Sequence, residues 1–347
     1  MEKVKVLIWG FGAMGSGMAS MLMKKQGVEI VGICDAHPDR MGKNFKDVIK
    51  VTNDSQPDII ISEDIDKMLE STKADIALLA TDSFTKKAYP KLVKLLESKM
   101  NVICTAEEMA YPYVNEPDLA SKLDEIAKKN GVSLLGTGIN PGLIMDLLVV
   151  CLTGCMQEVD HVTARRINSL SPFGPAVMEE QGVGLSVEKF NELNARNEMA
   201  GHVGFKESVG MISDALGFKL EKFEQQIEPI ITDIDRQAPY GFAAANHIAG
   251  VNMSAQGYVA GEVKIDMHHP QQIEPQLVGV DTGDYIELKG TPNVNMAITP
   301  EVDGGIGTIS MCVNMIPLVI SATPGLKTML DLPVPRAIMG DMRNLIK

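Results

Sequence analysis

The sequence has no cysteine pair at metal or redox spacing: Cys34, Cys104, Cys151, Cys155 and Cys312 are scattered without a CxxC. Cys151 and Cys155 stand four apart, but no further ligands lie near them, so no metal site is expected. An odd count without disulfide spacing suits a reducing compartment, where buried thiols behave as small hydrophobes. Long apolar runs are also missing. The longest candidate, Ile306 to Ala322, is broken by Ser, Asn and Pro and falls short of the roughly 20 residues of a membrane span. Basic charge is scarce: 32 Lys and Arg stand against 45 Asp and Glu, a formal net charge of -13. Nucleic-acid binding needs clustered cations to neutralise phosphates, so that partner class is excluded, as is a membrane. No internal repeat and no low-complexity tract occurs. Met1 to Lys5 lead directly into a strand that the fold needs, so no leader peptide is expected, and the expected compartment is the cytoplasm.

What is present fits about two domains, since 347 residues with 45% hydrophobic content exceed one ordinary core. Short apolar runs at Val4–Trp9, Val28–Cys34, Asp58–Ile61, Asp75–Ala80, Asn101–Cys104 and Val132–Leu135 read as strands buried on both faces. Helical stretches alternate with them, notably Ala13–Lys25, Thr85–Lys99 and Glu116–Asn130. That rhythm predicts parallel βαβ units. After about residue 155 it changes. Helices are expected at Val187–Met199 and Phe205–Leu216. Strands are expected at Val159–Asn168, Phe223–Ile231, Gly257–His268, Asp284–Lys289 and Val294–Thr299, with a long helix over Gly304–Ala322. The fold class is therefore α/β: an N-terminal Rossmann-type doubly wound parallel sheet over residues 1–150, then an α+β domain with a mixed, mostly antiparallel sheet over 151–319. The tail, 320–347, is expected to pack back on the first domain.

Gly10-Phe11-Gly12-Ala13-Met14-Gly15 has G-x-G-x-x-G spacing, with a strand before it and a helix after it. The first glycine permits the tight turn, the second lets backbone approach a pyrophosphate, and the third lets helix and strand pack closely. Asp35 ends the second strand about 20 residues on and suits the ribose hydroxyls of NAD. His37 and Arg40 follow in the same loop and keep the 2′-phosphate of NADP possible, so either cofactor is expected. Thr81 follows a strand end and is expected near the cofactor ribose; plain helix capping by Asp82 or Ser83 is the alternative.

Two more strand ends carry chemistry. Thr105-Ala106-Glu107-Glu108 places two acids on the ligand edge of the sheet. Gly136-Thr137-Gly138-Ile139-Asn140-Pro141-Gly142 lets backbone approach a flat ring, with Asn140 as donor and acceptor; helix-start chemistry would explain Asn140 and Pro141 but not the glycines. In the second domain Arg166 and Asn168 share one strand face and Arg165 points the other way. An inward Arg beside an Asn can clamp a carboxylate. His202 and His268 are the histidines of most interest, none of them at metal spacing.

On the Gly10–Gly15 turn, Thr105–Pro112 (TAEEMAYP), Gly136–Asp146 (GTGINPGLIMD) and Arg165–Ser169, the chain resembles the 2,4-diaminopentanoate dehydrogenases. That family is similar in fold to dihydrodipicolinate reductase and in site design to the native amine dehydrogenases. The resemblance implies oxidative deamination of a diamino acid substrate, 2,4-diaminopentanoate, at C4, as in ornithine breakdown, with NAD or NADP, in a homodimer. It puts the pocket acid on the Glu107–Glu108 pair, assigned to Glu108 as the base. It also implies Arg166 on the substrate carboxylate, with Asn140 and Asn168 orienting the amino groups. A dihydrodipicolinate reductase is disfavoured because His268-His269 is followed by Pro270-Gln271-Gln272, without that enzyme's Lys-x-Asp-x-Pro-Ser-Gly-Thr pattern. The alternatives are a dehydrogenase of another amine or amino acid, an imine reductase, and a dinucleotide sensor without turnover.

Overall fold

A computed structural model describes residues 2–51, 56–196, 198–199 and 201–347. The chain begins with β1 (Val4–Trp9), α1 (Ala13–Leu22), β2 (Val28–Cys34), α2 (Phe45–Ile49), α3 (Ile65–Ser71) and β3 (Ile76–Leu79). Then come α4 (Thr85–Glu97), β4 (Asn101–Cys104), α5 (Pro117–Asn130) and β5 (Ser133–Gly136). Val6, Leu7 and Ile8 of β1 are fully buried, with β2 and β3 paired parallel on either side. Such side chains contribute about 1.5–3 kcal/mol each on burial, which explains why short apolar runs suffice as central strands. α5 shows why its boundaries are sharp: Pro117 occupies the first turn, and Gly131, at φ +71°, ends the helix in left-handed backbone. The expected strand at Asp58–Ile61 is not one. Ile60 and Ser62 make only isolated bridges, to Asn44 and Cys34.

The second stretch runs α6 (Leu147–Thr153), β6 (Glu158–Ser169), α7 (Pro175–Glu180), α8 (Val187–Ala195), α9 (Phe205–Leu216) and β7 (Lys222–Ile231). It continues with β8 (Arg236–Gln237), β9 (Phe242–Ala243), β10 (Ile248–Val259), β11 (Glu262–Gln272), β12 (Gly283–Thr291) and β13 (Val294–Ile298). α8 stops at Ala195, short of the expected Met199; of that span Asn197 lies outside the described residues. The run read as one strand, Gly257–His268, is the tip of a hairpin. Its turn is Ala260-Gly261, with φ of +53° and +79°, the geometry of a two-residue hairpin loop. Sheet order is β13-β12-β6-β11-β10-β7; among the described residues β6 and β11 pair in parallel and the other neighbours antiparallel.

The chain closes with α10 (Gly304–Ile320) and β14 (Gly325–Lys327). β14 pairs parallel with β5, completing a first sheet of order β14-β5-β4-β3-β1-β2. Two units result, Met1–Leu143 with Gly304–Lys347, and Ile144–Asp303. The sequence reading put the borders at 150 and 319, so the long helix changes domain. α10 is apolar on most of its surface, with Met311, Cys312, Val313, Met315 and Ile316 buried. Small residues explain its berth: a Cβ on Gly17 of α1 would lie 2.2 Å from Ile309, so the two helices meet where a side chain is missing.

Candidate active site

β1 delivers the chain into Gly10 at φ +94°, where an added Cβ would sit 2.4 Å from the Ala80 carbonyl oxygen. At Gly15 it would sit 1.8 Å from the Gly10 carbonyl oxygen. These two glycines close the turn against protein backbone. Gly12 differs, because its Cβ would meet nothing within 4 Å. It is the N-cap of α1 and, as a glycine, offers no side chain to the helix N–H groups. Open space before a helix N-terminus is what a pyrophosphate requires, so these residues fit a dinucleotide. A cleft of about 330 Å³ lies here, lined by Phe11, Gly12, Ala13, Ser16, Ser20 and Arg40 among others. Phe11 is buried edge-on against Phe45, while Ala13 and Met14 form the first turn of α1.

Asp35 is more committed than the sequence suggests. Its Oδ2 accepts from the Phe11 N–H (2.5 Å) and its Oδ1 from the His37 N–H (2.7 Å). Arg40 Nη1 approaches the same carboxylate at 3.3 Å. Asp35 therefore frames the turn, and Arg40 is the charged group of this corner that lines the cleft. Thr81 lies against Gly10, its Cγ2 2.8 Å from where a Cβ would stand. Its hydroxyl donates to Asp82 Oδ2 (2.5 Å) and accepts from Lys91 Nζ (3.0 Å). Neither Asp82 nor Ser83 caps α4.

That cap is Glu108, whose Oε2 accepts from the Thr85 N–H at 2.7 Å. One oxygen of the expected base is thus spent on a helix terminus. Glu107 and Glu108 open a 3-10 turn, Glu107–Ala110, in which successive side chains diverge by about 120°. Only one of the two can follow a given direction, and Glu108 has taken that of α4. Glu107 is half-buried beside Cys104. Burial foremost, then the charges of Asp82 and Glu107, push the Cys104 thiol up to about 12.

The loop after β5 also departs from expectation. The Asn140–Pro141 peptide is cis, and α6 starts later, at Leu147 with Asp146 as its cap, so Asn140 is buried without starting a helix. Gly136 and Gly142 are needed for internal packing, where a Cβ would meet Met109 O at 2.0 Å and Gly138 backbone at 2.6 Å. α10 secures the loop from one side: the Ile139 N–H donates to Thr308 Oγ1 at 3.2 Å.

In the second unit, register assembles a buried polar group. Arg166 of β6 stands opposite Asp284 of β12, and Asn168 stands opposite Gln271 of β11. Arg166 is 2% exposed; its Nη1 donates to Asp284 Oδ1 (2.5 Å) and its Nη2 to the Val302 carbonyl (2.5 Å). Its charge is matched inside the protein, so a bound carboxylate would gain hydrogen bonds from it rather than an uncompensated charge. Burial raises the Asp284 carboxyl, with Arg166 and the Val302 N–H pulling against it. Asn168 Oδ1 accepts from His269 Nε2 at 2.9 Å, and the His269 ring meets that of His202 edge to face at 4.7 Å. Burial, aided by the Arg166 charge, lowers His202 to about 4. Burial also lowers His269, with His202 and Arg166 adding to it, so both rings are neutral near pH 7.

His268, the expected histidine, is on the wrong face. It pairs with Arg165 in register and its Nε2 meets Asp266 Oδ2 at 2.9 Å. His269 and Gln271 were missed; strand parity with Arg166 and Asn168 finds them once the β6–β11 register is known.

A glycine turn open to a dinucleotide, in a parallel sheet and followed by a mixed-sheet unit with a buried polar face, defines a nicotinamide-dependent oxidoreductase. Residues 4–137 match the NAD-binding Rossmann oxidoreductase family, and residues 143–347 match the 2,4-diaminopentanoate dehydrogenase C-terminal domain. The chain is 60% identical over 347 residues to the 2,4-diaminopentanoate dehydrogenase of Acetoanaerobium sticklandii, covering 100% of this chain and 98% of that one. It is 21% identical to an amine dehydrogenase of Streptomyces virginiae over 96% of its length and 98% of the relative's. The solved amine dehydrogenase of Mycobacterium smegmatis superposes with a TM-score of 0.86 at 26% identity, over 97% and 98% of the two chains. The chain belongs to the 2,4-diaminopentanoate dehydrogenase family. Among the described residues no helix is long and apolar enough to cross a membrane.

Proposed function

We propose that the chain oxidises 2,4-diaminopentanoate at C4 with NAD or NADP, giving 2-amino-4-oxopentanoate, ammonium and the reduced cofactor, a step of ornithine degradation. The 60% identity along the whole chain to a relative of that name carries the reading. The cofactor, when bound, accepts the hydride from C4. The nitrogen on C4 must first give up a proton, because only a lone pair can form the C=N bond as hydride leaves. We assign that proton to Glu107 in place of Glu108, whose carboxylate caps α4. Water then adds to the C4 iminium carbon, and the same acid moves protons between oxygen and nitrogen until the C–N bond breaks. One water is consumed, the nitrogen leaves as ammonium, and one proton is released.

Asn140 and Asn168 orient amino groups, while Arg166, His202 and His269 belong to the substrate face. The finer parts of the reading include a homodimer and a cytoplasmic setting, which light scattering and cell fractionation test. The decisive experiment screens diamino acids and simple amines with NAD and NADP for formation of reduced cofactor. The highest kcat/KM is expected for 2,4-diaminopentanoate. A higher value for another amine redirects the substrate, and no reduction with any amine converts the reading to a dinucleotide sensor.

A further inference from the structure

Among the described residues, the buried face of the second sheet leaves two polar atoms without a partner, His269 Nδ1 and Gln271 Nε2. The residues are 3% and 6% exposed. Both lie on β11, two positions apart and hence on one face. An unsatisfied buried polar atom costs about 1–3 kcal/mol, so two on one face ask for a ligand.

The chemistry of each atom can be read. The Asn168 amide nitrogen donates to the Ser169 carbonyl (3.5 Å), which leaves Asn168 Oδ1 turned to the His269 ring. A carbonyl oxygen only accepts, so His269 Nε2 carries the ring proton. In the neutral imidazole Nδ1 is then a bare lone pair, able to accept and unable to donate. Gln271 Nε2 is the reverse, a donor without an acceptor. Two residues along a strand separate these positions by about 6.5 Å. A single small ligand carrying a donor and an acceptor can therefore reach both atoms at ~2.9 Å. An α-amino acid, with ammonium and carboxylate on neighbouring carbons, is a compact group that matches the two in kind: a donor for His269 Nδ1 and an acceptor for Gln271 Nε2.

We propose that His269 Nδ1 accepts from the C2 ammonium of the substrate and Gln271 Nε2 donates to its C1 carboxylate, so that this pair selects α-amino acids over plain amines and plain carboxylates. This rests on the reaction proposed above. The lone pair gives the pair its direction: it repels a carboxylate at that point and attracts a cation. Asp284 supports the choice, since it neutralises Arg166 and removes the repulsion that an unpaired guanidinium would exert on an ammonium.

The test compares three substrates: 2,4-diaminopentanoate, 4-aminopentanoate without the C2 amine, and 1,3-diaminobutane without the carboxylate. His269→Leu should lower kcat/KM for 2,4-diaminopentanoate by about ten- to a hundredfold, the value of one charged hydrogen bond, and leave 4-aminopentanoate nearly unchanged. Gln271→Leu should erase the preference over 1,3-diaminobutane in the same way. As a readout apart from turnover, 2-aminopentanoate should bind the wild-type–NADH complex by calorimetry and lose that affinity in both variants. Gln271→Glu, which keeps the shape and reverses the donor, should lose it as well. Equal losses on all three substrates, or unchanged 2-aminopentanoate binding, would overturn the assignment while leaving the reaction standing. Wild-type protein inert toward 2,4-diaminopentanoate with both cofactors would instead overturn the reaction, and this assignment with it.

Discussion

Gly12→Ala and Gly15→Ala should fail in opposite ways, although they alter two glycines of one hexapeptide. At Gly12 the new methyl meets nothing within 4 Å, and the backbone, at φ -70° and ψ -156°, is open to any residue. The cost to folding is the poorer N-cap that Ala makes, about 1 kcal/mol or less. The methyl nevertheless occupies the approach to the α1 N-terminus. Two charged N–H to phosphate hydrogen bonds are worth about 1.5–3 kcal/mol each, so lengthening them forfeits ~3 kcal/mol, roughly a hundredfold in Kd. At Gly15 the methyl would lie 1.8 Å from a backbone oxygen, which has no rotamer with which to yield. Helix and strand must separate, at a cost of about 1–3 kcal/mol or more. Trp9 is the single tryptophan and directly precedes Gly10, so quenching of its fluorescence by NADH measures binding beside the turn. Chemical denaturation of the same samples measures stability. Gly12→Ala should melt near wild type and bind NADH about a hundredfold more weakly, while Gly15→Ala should be the less stable of the two. Wild-type NADH affinity in a folded Gly12→Ala protein would refute the placement of the pyrophosphate.

Four further outcomes follow from single observations. Glu107→Gln should lower kcat sharply with NADH binding retained, whereas Glu108→Ala, which removes the acceptor of the Thr85 N–H, should chiefly destabilise α4; near-normal turnover in the first would return the base to Glu108. Arg40→Ala should raise the Kd of NADPH about tenfold more than that of NADH, because Arg40 lines the cleft and its partner Asp35 already holds two backbone N–H groups; equal shifts would remove it from the 2′-phosphate. Asp284→Ala should cost about 3–5 kcal/mol in denaturant unfolding, since it leaves the 2% exposed Arg166 charge without its partner; a loss below ~1 kcal/mol would contradict a buried pair. His202, lowered from 6.5 to about 4 by burial, takes up its proton more readily unfolded than folded. Its contribution is therefore complete above about pH 6.5 and is lost as pH falls toward 4, by ~3 kcal/mol at most. His202→Gln should flatten that slope, and an identical pH profile in the variant would contradict the shift.

The first half of the chain was legible because its signals are local. Val4–Trp9, Gly10–Gly15 and Val28–Cys34 each state their geometry within a few residues, and β1, α1 and β2 start where those runs place them. What the sequence hid was decided across distance. Glu108 reads as a catalytic acid until Thr85 N–H, 23 residues earlier, is found on its carboxylate. Arg166 reads as a free clamp until β12 brings Asp284 opposite it, 118 residues later. Asp35 reads as a ribose ligand, and the Phe11 N–H on its Oδ2 makes it part of the turn.

The histidine pair is a different case, because there a single strand register decides the outcome. Once β6 and β11 pair in parallel with Asn168 beside Gln271, parity puts His269 with Arg166 and turns His268 to Asp266 on the other face. The registers could not be read in advance, since Gly257–His268 looked like one strand and concealed the Ala260-Gly261 turn between two. A hairpin moved by one residue would exchange the two histidines and every polar side chain beside them. The specificity of this face therefore depends on that turn as much as on the groups it displays. Lengthening the loop after Val259 by one residue should release β11 from its register and cost amino-acid selectivity before it costs the fold of the first unit.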